Sequence, residues 1–110
     1  MLENAQKAAS FLKAMANENR LLILYHLADG EKSVTELELL LGIRQPTLSQ
    51  QLARLRADSL VATRRAAKLI YYSLASDDAH RVIQLLEGRL ETVSSDKSRD
   101  PQRLELAIAE

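Results

Sequence analysis

TELELLLGIRQPTLSQQLARLR, residues 35–56, is the stretch that decides the fold. It contains two segments with apolar residues at helical spacing, separated by the residues Leu-Gly-Ile-Arg at 41–44. A short helix that stops near Gly42, turns within about four residues and restarts with one polar face is typical of a helix-turn-helix. Pro46 fits the first turn of the second helix, because proline lacks the N–H group that would be unsatisfied there.

The second of these helices is the segment that we expect to contact a ligand. Leu48, Leu52 and Leu55 recur at i, i+4 and i+7, so they should face inward. The position before the helix holds Arg44 or Gln45 instead of a typical capping residue, which predicts a weakly capped helix. The outward side chains are hydrogen-bonding types that suit base edges and phosphates, namely Gln45, Thr47, Ser49, Gln50 and Arg54.

The composition limits the classes of function. A chain of 110 residues, 46% hydrophobic and 27% charged, is expected to form one ordinary globular domain. The sequence contains no cysteine, which excludes disulfides, zinc–thiolate sites and thiol redox sensing within it. No apolar run approaches the roughly 20 residues of a membrane span, and the first residues lack the order of a signal peptide. We therefore expect a cytoplasmic protein.

The formal net charge of zero conceals a basic region, residues 44–68. This region contains six basic side chains and one acidic side chain, a net charge of +5, whereas the flanking sequences are net acidic. A neutral domain with one basic edge can still attract a polyanion, because the local field steers the partner. Taken alone, the charge run is equally consistent with a solvated surface.

The periodicity before the helix-turn-helix predicts two further helices. Residues 2–15 have one apolar face, and residues 20–28 are apolar enough for the centre of the core. Asn17 is the expected N-cap of the second helix, and Gly30 is the expected left-handed residue after its end. Residues 33–34 are at most a very short strand. The next helix, capped by Ser33 or Thr35, extends to about residue 41, with inward side chains at Leu37, Leu40 and Leu41.

After the helix-turn-helix the pattern changes to β-branched and aromatic runs at 60–64 and 69–74, which predict a hairpin. Its basic tip contains no glycine or asparagine, so we expect a longer, mobile connection instead of a tight primed turn. A last helix follows, capped by Ser76 or Asp77, with the apolar stripe Ala79, Val82, Ile83, Leu86, Leu90 and Val93. A polar tail with a short helix at 102–109 ends the sequence.

This order predicts a mainly α fold with a small β-hairpin, a winged helix-turn-helix (α-α-α-α-β-β-α) over residues 1–95, followed by a flexible tail over 96–110. Three segments, KAMANENRLLIL at 13–24, LGIRQPTLSQQL at 41–52 and IYYSL at 70–74, closely resemble the ArsR/SmtB family of bacterial transcriptional regulators. The resemblance covers about residues 8–90 and is greatest to the NolR/HlyU branch.

The resemblance implies a homodimer that binds double-stranded DNA at an imperfect palindrome near a promoter, most simply as a repressor. The first and last helices would form the dimer interface, through Phe11, Leu12, Met15, Val82, Ile83, Leu86 and Leu90. The base-reading residues would be Gln45, Thr47, Ser49 and Gln50. The residues that contact the DNA backbone would be Arg44, Gln51, Arg54, Arg64, Arg65 and Lys68.

Three charged residues near this surface receive other roles. Arg56 lies one residue past inward Leu55 and close to Asp58, so we expect it to be the structural arginine of this helix. Glu36 and Glu38 would repel DNA and should face away from it.

The metal and thiol sensors of the resembled family have no full counterpart here. Where the arsenic and cadmium sensors carry Cys-Val-Cys, this sequence has Ser-Val-Thr at 33–35. Asp78 and His80 echo the first ligand pair of the zinc and nickel sensors, but Glu91 and Ser94 do not supply the second pair. Two ligands hold zinc poorly, so we expect no metal and no cofactor, and we interpret His26 and His80 as structural or exposed.

Catalysis is not expected, because the glycines are isolated and neither histidine has a nucleophile or a carboxylate pair nearby in sequence. Two alternatives to a repressor remain open. One is a winged-helix module for protein contacts, which must account for the basic region and would show DNA binding with a flat salt dependence. The other is a DNA-binding activator that displaces a silencing protein. Neither an operator nor an inducer is indicated by the sequence.

Overall fold

The computed structural model describes residues 2–96, and side chains from residue 3 to residue 88. A 3-10 turn at Leu2–Asn4 precedes five helices and three strands. Their bounds are α1 Ala5–Met15, α2 Glu18–Ala28, β1 Lys32–Ser33, α3 Val34–Leu41, α4 Thr47–Ala57, β2 Val61–Ala66, β3 Leu69–Leu74 and α5 Asp77–Asp96. The predicted winged helix-turn-helix is confirmed, with the two-residue β1 as the very short strand.

Side-chain caps fix where α2 and α3 begin. The Asn17 side chain accepts a hydrogen bond of 3.1 Å from the backbone N–H of Arg20, as predicted for the cap of α2. Ser33, not Thr35, caps α3, and it forms a reciprocal capping box with Glu36 through bonds of 3.1 and 2.9 Å. Gly42 ends α3 with a φ of 68°, which glycine adopts without a steric penalty.

The core is centred on α2, which packs against the other four helices and β3. Ile23, Leu24 and Leu27 of α2 are buried with Leu48, Leu52 and Leu55 of α4, so the central position of α2 and the inward stripe of α4 are confirmed. The other buried apolar residues are Ala14, Met15, Leu37, Leu60, Val61, Ala79 and Ile83.

The expectation for Leu40 is wrong, because this side chain is 49% exposed. Leu37 is buried, and Val34 and Leu41 pack partly against the core on either side of it. These three residues lie at i, i+3 and i+7, so they define the inward stripe of the short helix α3 and leave Leu40 at its edge.

The hairpin β2–β3, residues 61–74, is the wing. Strand β3 lies between β1 and β2, and both neighbours are antiparallel to it. Pairing runs from Val61 with Leu74 to Ala66 with Leu69, so only Ala67 and Lys68 form the turn. The expectation of a longer connection is therefore wrong. Ala67 adopts a φ of 57° and takes the place that glycine or asparagine usually fills in so tight a turn.

Two predicted features, the end of the apolar stripe on α5 and the polar tail after it, extend beyond the residues whose side chains are described. Leu90 and Val93 lie in α5, but their side chains are outside the described set. Except for Asp96, the last residue of α5, the predicted tail at 96–110 lies outside the described residues. The short helix predicted at 102–109 lies outside them as well. Within the described residues, no helix combines the length and the hydropathy that crossing a bilayer requires.

Candidate nucleic-acid interface

Helix α4 presents a polar face opposite its buried leucines. Thr47, Ser49 and Gln50 are exposed, and Gln45 is exposed two residues before the first residue of the helix. The structure thus brings the four predicted base-reading residues to one end of α4, at its N-terminus. That end carries the positive pole of the helix dipole, which favours a negatively charged ligand.

The N-terminus of α4 has a cap that the sequence did not indicate. Pro46 occupies the cap position and supplies no side-chain hydrogen bond. The Gln45 side chain takes over this role, because its Oε1 atom accepts the backbone N–H of Ser49 at 3.1 Å and also the Ser49 hydroxyl. The cap residue itself forms no side-chain hydrogen bond, as the prediction of a weakly capped helix expects, and the Gln45 oxygen adds a contact that the sequence did not indicate. The Gln45 amide nitrogen has no hydrogen-bond partner in the described part of the chain.

Gln50 and Gln51 differ in what they can offer a ligand. The Gln50 side chain is exposed and has no hydrogen-bond partner in the described part of the chain. Gln51 is half-buried, and its Oε1 atom accepts a hydrogen bond of 3.0 Å from Nη1 of Arg20. The role of Arg20 was not predicted from the sequence. Its only distinguishing feature there is a charge directly before the apolar run of α2.

Arg54 forms the ion pair on α4, with its Nε atom 2.8 Å from Oδ2 of Asp58. The expectation that Arg56 is the structural arginine beside Asp58 is therefore wrong. Residues at i and i+4 share a helix face, whereas Arg56 is two positions from Asp58 and points elsewhere. The Arg56 side chain is exposed and has no partner among the described residues.

On the wing, Arg64 is held within the protein. Its Nε and Nη2 atoms each donate to a carboxylate oxygen of Glu31 at 2.7 Å. Its guanidinium carbon lies 4.7 Å from the ring centroid of Tyr71, the residue opposite Arg64 in the sheet. The hydrogen bonds from Arg64 lower the pKa of the Glu31 carboxyl below its usual value, so Glu31 stays charged and offsets Arg64 at neutral pH.

Arg65 is the free arginine of the wing. Neighbouring residues in a strand point to opposite faces, so Arg65 is directed away from the face that holds Arg64 and Tyr71. Neither the Arg65 nor the Lys68 side chain has an ion-pair or hydrogen-bond partner within residues 3–88. Among the described cations of the basic region, the exposed side chains without a protein partner are Arg44, Arg56, Arg65 and Lys68.

The residues predicted for a dimer interface differ in how deeply their side chains are buried in the protomer. Met15 and Ile83 belong to the protomer core and have almost no surface left for a partner. Phe11 and Val82 are half-buried, whereas Leu12 and Leu86 are exposed, and the side chain of Leu90 is not described. Leu85, which the sequence analysis did not select, is 58% exposed on α5.

The positions compared with metal sensors have other roles. Ser33 is the helix cap of α3, and His26 is half-buried with its ring centroid 5.2 Å from that of Tyr25. His80 is half-buried near the start of α5. Within residues 3–88, no cluster of three or more His, Cys, Asp or Glu side chains is placed to hold a metal ion.

Comparison with known proteins identifies a family and several relatives that this chain resembles. Residues 17–63 match the family described as bacterial regulatory protein, arsR family. The chain is 52% identical to the biofilm growth-associated repressor of Agrobacterium fabrum, over 78% of this chain and 74% of that protein. It is 50% identical to the transcriptional activator HlyU of Vibrio cholerae, over 78% of this chain and 80% of that protein. The crystal structure of the transcriptional regulator HlyU from Vibrio vulnificus superposes with a TM-score of 0.76 at 49% identity, covering 80% of this chain and 92% of that one.

Proposed function

Because the chain belongs to the arsR family of bacterial regulatory proteins, which are DNA-binding transcriptional regulators, we propose that it binds a palindromic operator as a homodimer and represses transcription. Its site of action would be the bacterial cytoplasm, on chromosomal DNA. The alternative of a protein-interaction module is disfavoured by this membership.

The observation that carries the proposal is the polar face of α4. Four exposed residues, Gln45, Thr47, Ser49 and Gln50, stand at the N-terminus of a helix whose other face is fixed in the core by three buried leucines. A helix held in this way can enter the major groove and present its side chains to base edges without rearrangement. The unpaired cations Arg44, Arg65 and Lys68 would contact phosphates on either side.

A homodimer is supported by the apolar surface on α1 and α5. Leu12 on α1 and Leu85 on α5 are more than half exposed, and Leu86, next to Leu85 in α5, is also exposed. A two-fold axis near these helices would pair like surfaces and place two copies of α4 on one face of DNA, about 34–36 Å apart.

Repression is the favoured sign of regulation, because the relative at 52% identity is a repressor. Activation is the second candidate, since the relative at 50% identity is named an activator. A reporter gene behind the operator, with and without the protein, separates them, because repression lowers expression and activation raises it.

Control by metal or thiol is not part of the proposal. The positions that correspond to the family's paired cysteines hold a serine cap and a threonine, and the sequence has no cysteine. We expect that neither zinc nor a chelator changes the affinity for DNA. A loss of affinity on adding zinc would overturn this part of the proposal.

Selection of bound DNA from a random pool tests the main proposal. The expected result is a palindrome whose half-sites are separated by about one helical turn, with an affinity that falls steeply as salt is added. Enrichment of no sequence, together with a flat salt dependence, would instead favour a protein-interaction module.

A further inference from the structure

Arg20, in the first turn of α2, joins three helices. Its Nε atom donates to the Ala14 carbonyl at 2.6 Å, and its Nη2 atom donates to the Lys13 carbonyl at 3.1 Å. Both carbonyls lie in the last turn of α1, where the negative end of the helix dipole attracts a cation. Nη1, the third nitrogen, donates to Oε1 of Gln51 at 3.0 Å. The guanidinium is therefore anchored on α1 while it contacts α4.

This contact decides which group of Gln51 is free. A guanidinium has donors and no acceptor, so the amide atom that faces Arg20 is the carbonyl oxygen. The amide nitrogen of Gln51 must then point away from Arg20 with its N–H donors available. Because Gln51 is half-buried, the same contact also restricts its side-chain rotamer.

We infer that Arg20 is a positioning residue for DNA binding, which holds Gln51 so that its amide N–H groups donate to a phosphate oxygen. Phosphate oxygens are acceptors only, and the orientation that Arg20 imposes offers donors only. A side chain that is already fixed loses less conformational entropy on binding. The inference rests on the proposed DNA-binding function, and it adds a residue that does not itself touch the DNA.

A double-mutant cycle on the full chain tests this role. Affinity is measured for the selected operator with the wild-type chain, Arg20→Lys, Gln51→Ala and the double variant. Lysine keeps a positive charge near the end of α1 but lacks the planar fork that reaches two helices at once. Gln51→Ala is expected to weaken binding by about tenfold per protomer, the effect of one hydrogen bond to a charged group, and so by about 100-fold for the dimer. Arg20→Lys should weaken it by a smaller factor, and only when Gln51 is present.

Stability measurements separate positioning from a structural role. Asn17→Ala is the control for stability, because it removes the cap on the Arg20 backbone N–H while the guanidinium of Arg20 and the amide of Gln51 are chemically unchanged. It should lower the thermal midpoint without changing the affinity for DNA. Gln51→Glu should keep the midpoint, since a carboxylate still accepts from Arg20, but lose affinity because its oxygens repel phosphate.

Two different outcomes overturn two different claims. If Arg20→Lys weakens binding by the same factor in the Gln51 and Gln51→Ala backgrounds, Arg20 acts through the fold alone and the positioning role is wrong. If the wild-type chain binds no DNA with a salt-dependent affinity, the proposed function fails, and this inference fails with it.

Discussion

At the scale of single residues, the three glutamines near the start of α4 differ in the hydrogen bonds left to them. The carbonyl oxygen of Gln45 accepts from Ser49, and that of Gln51 accepts from Arg20. Gln50 alone keeps both its acceptor and its donors free within the described residues. A bidentate contact with adenine needs one acceptor and one donor from the same amide. Gln50 is therefore the glutamine best suited to read an adenine.

Changing Gln50 to alanine should relax the preference at one base pair of each half-site. A bidentate contact discriminates by about 1–3 kcal/mol, so the operator and its variant at that position should become nearly equal in affinity. Competition binding with single-base variants of the operator measures this. Gln45→Ala should alter preference less, because only its donor is free. If Gln50→Ala leaves both affinity and preference unchanged, the assignment of the reading face is wrong.

Ser59, just after α4, offers a test of stability away from the DNA surface. The backbone N–H groups of Ser59 and Leu60 donate to the carbonyls of Arg56 and Leu55, the pattern of a Schellman motif. Ser59 has a φ of 61°, a left-handed conformation that costs a non-glycine residue about 1–2 kcal/mol.

Ser59→Gly should relieve this strain and raise the free energy of unfolding by about 0.5–1 kcal/mol, after the added freedom of the unfolded chain is counted. Urea denaturation measures the change. Ser59→Ala is the matched control and should give no gain, since alanine keeps the steric conflict; an equal gain in both variants would exclude backbone strain as the cause.

At the scale of elements, the sequence predicted what periodicity and caps encode. The central position of α2, the apolar stripe of α4, the cap at Asn17 and the stop at Gly42 could all be predicted, because each depends on neighbouring residues. The tight turn at Ala67 was not readable, since sheet pairing imposes a positive φ on a residue type that does not favour it. Arg20 contacts Gln51, which is 31 positions further along the chain, and Arg64 contacts Glu31, which is 33 positions before it. No local sequence pattern reveals such contacts.

On the wing, the two adjacent arginines should contribute unequally to DNA binding. Arg65→Ala should weaken binding to all sequences and reduce the salt slope of the dimer by about two units, because it removes one unpaired cation from each protomer. Arg64→Ala should change the slope less, since Glu31 already offsets its charge. Titrations at several salt concentrations compare the two variants. Equal changes in slope would show that DNA displaces Glu31 from Arg64.

Glu31→Gln should raise the affinity for every DNA sequence, because it removes an acidic side chain and frees Arg64 from its ion pair. It should also change the pH dependence of stability. The folded-state pKa of Glu31 is lowered, so the pair stabilises the fold above the ordinary carboxyl pKa and loses this effect as pH falls through the lowered pKa. Unfolding measured against pH should show a smaller acid-induced loss in the variant than in the wild type.

At the scale of the whole molecule, a chain with no formal net charge distributes its charges unevenly over its elements. The +5 region, residues 44–68, contains α4 and the first strand and turn of the wing, so the cations are concentrated on these two elements. Their sum was predictable from the sequence, but their availability was not, because pairing with Asp58 and Glu31 engages Arg54 and Arg64. The cations of this region that are available to a phosphate are those without a protein partner, and a single protomer has few of them.

Dimerisation would double this set, so affinity for a palindrome should depend on the apolar surface of α5. Leu86→Asp places a charge on an exposed position of that surface, and it should leave the protomer fold intact while desolvation of the carboxylate opposes association. Sedimentation should then give a monomer, and binding to the full palindrome should fall to the level of a single half-site. Leu39→Asp, on the exposed side of α3, is the matched control and should remain dimeric. A Leu86→Asp protein that stays dimeric would place the two-fold axis elsewhere, whereas a monomer that keeps full affinity would show that one protomer reads the operator.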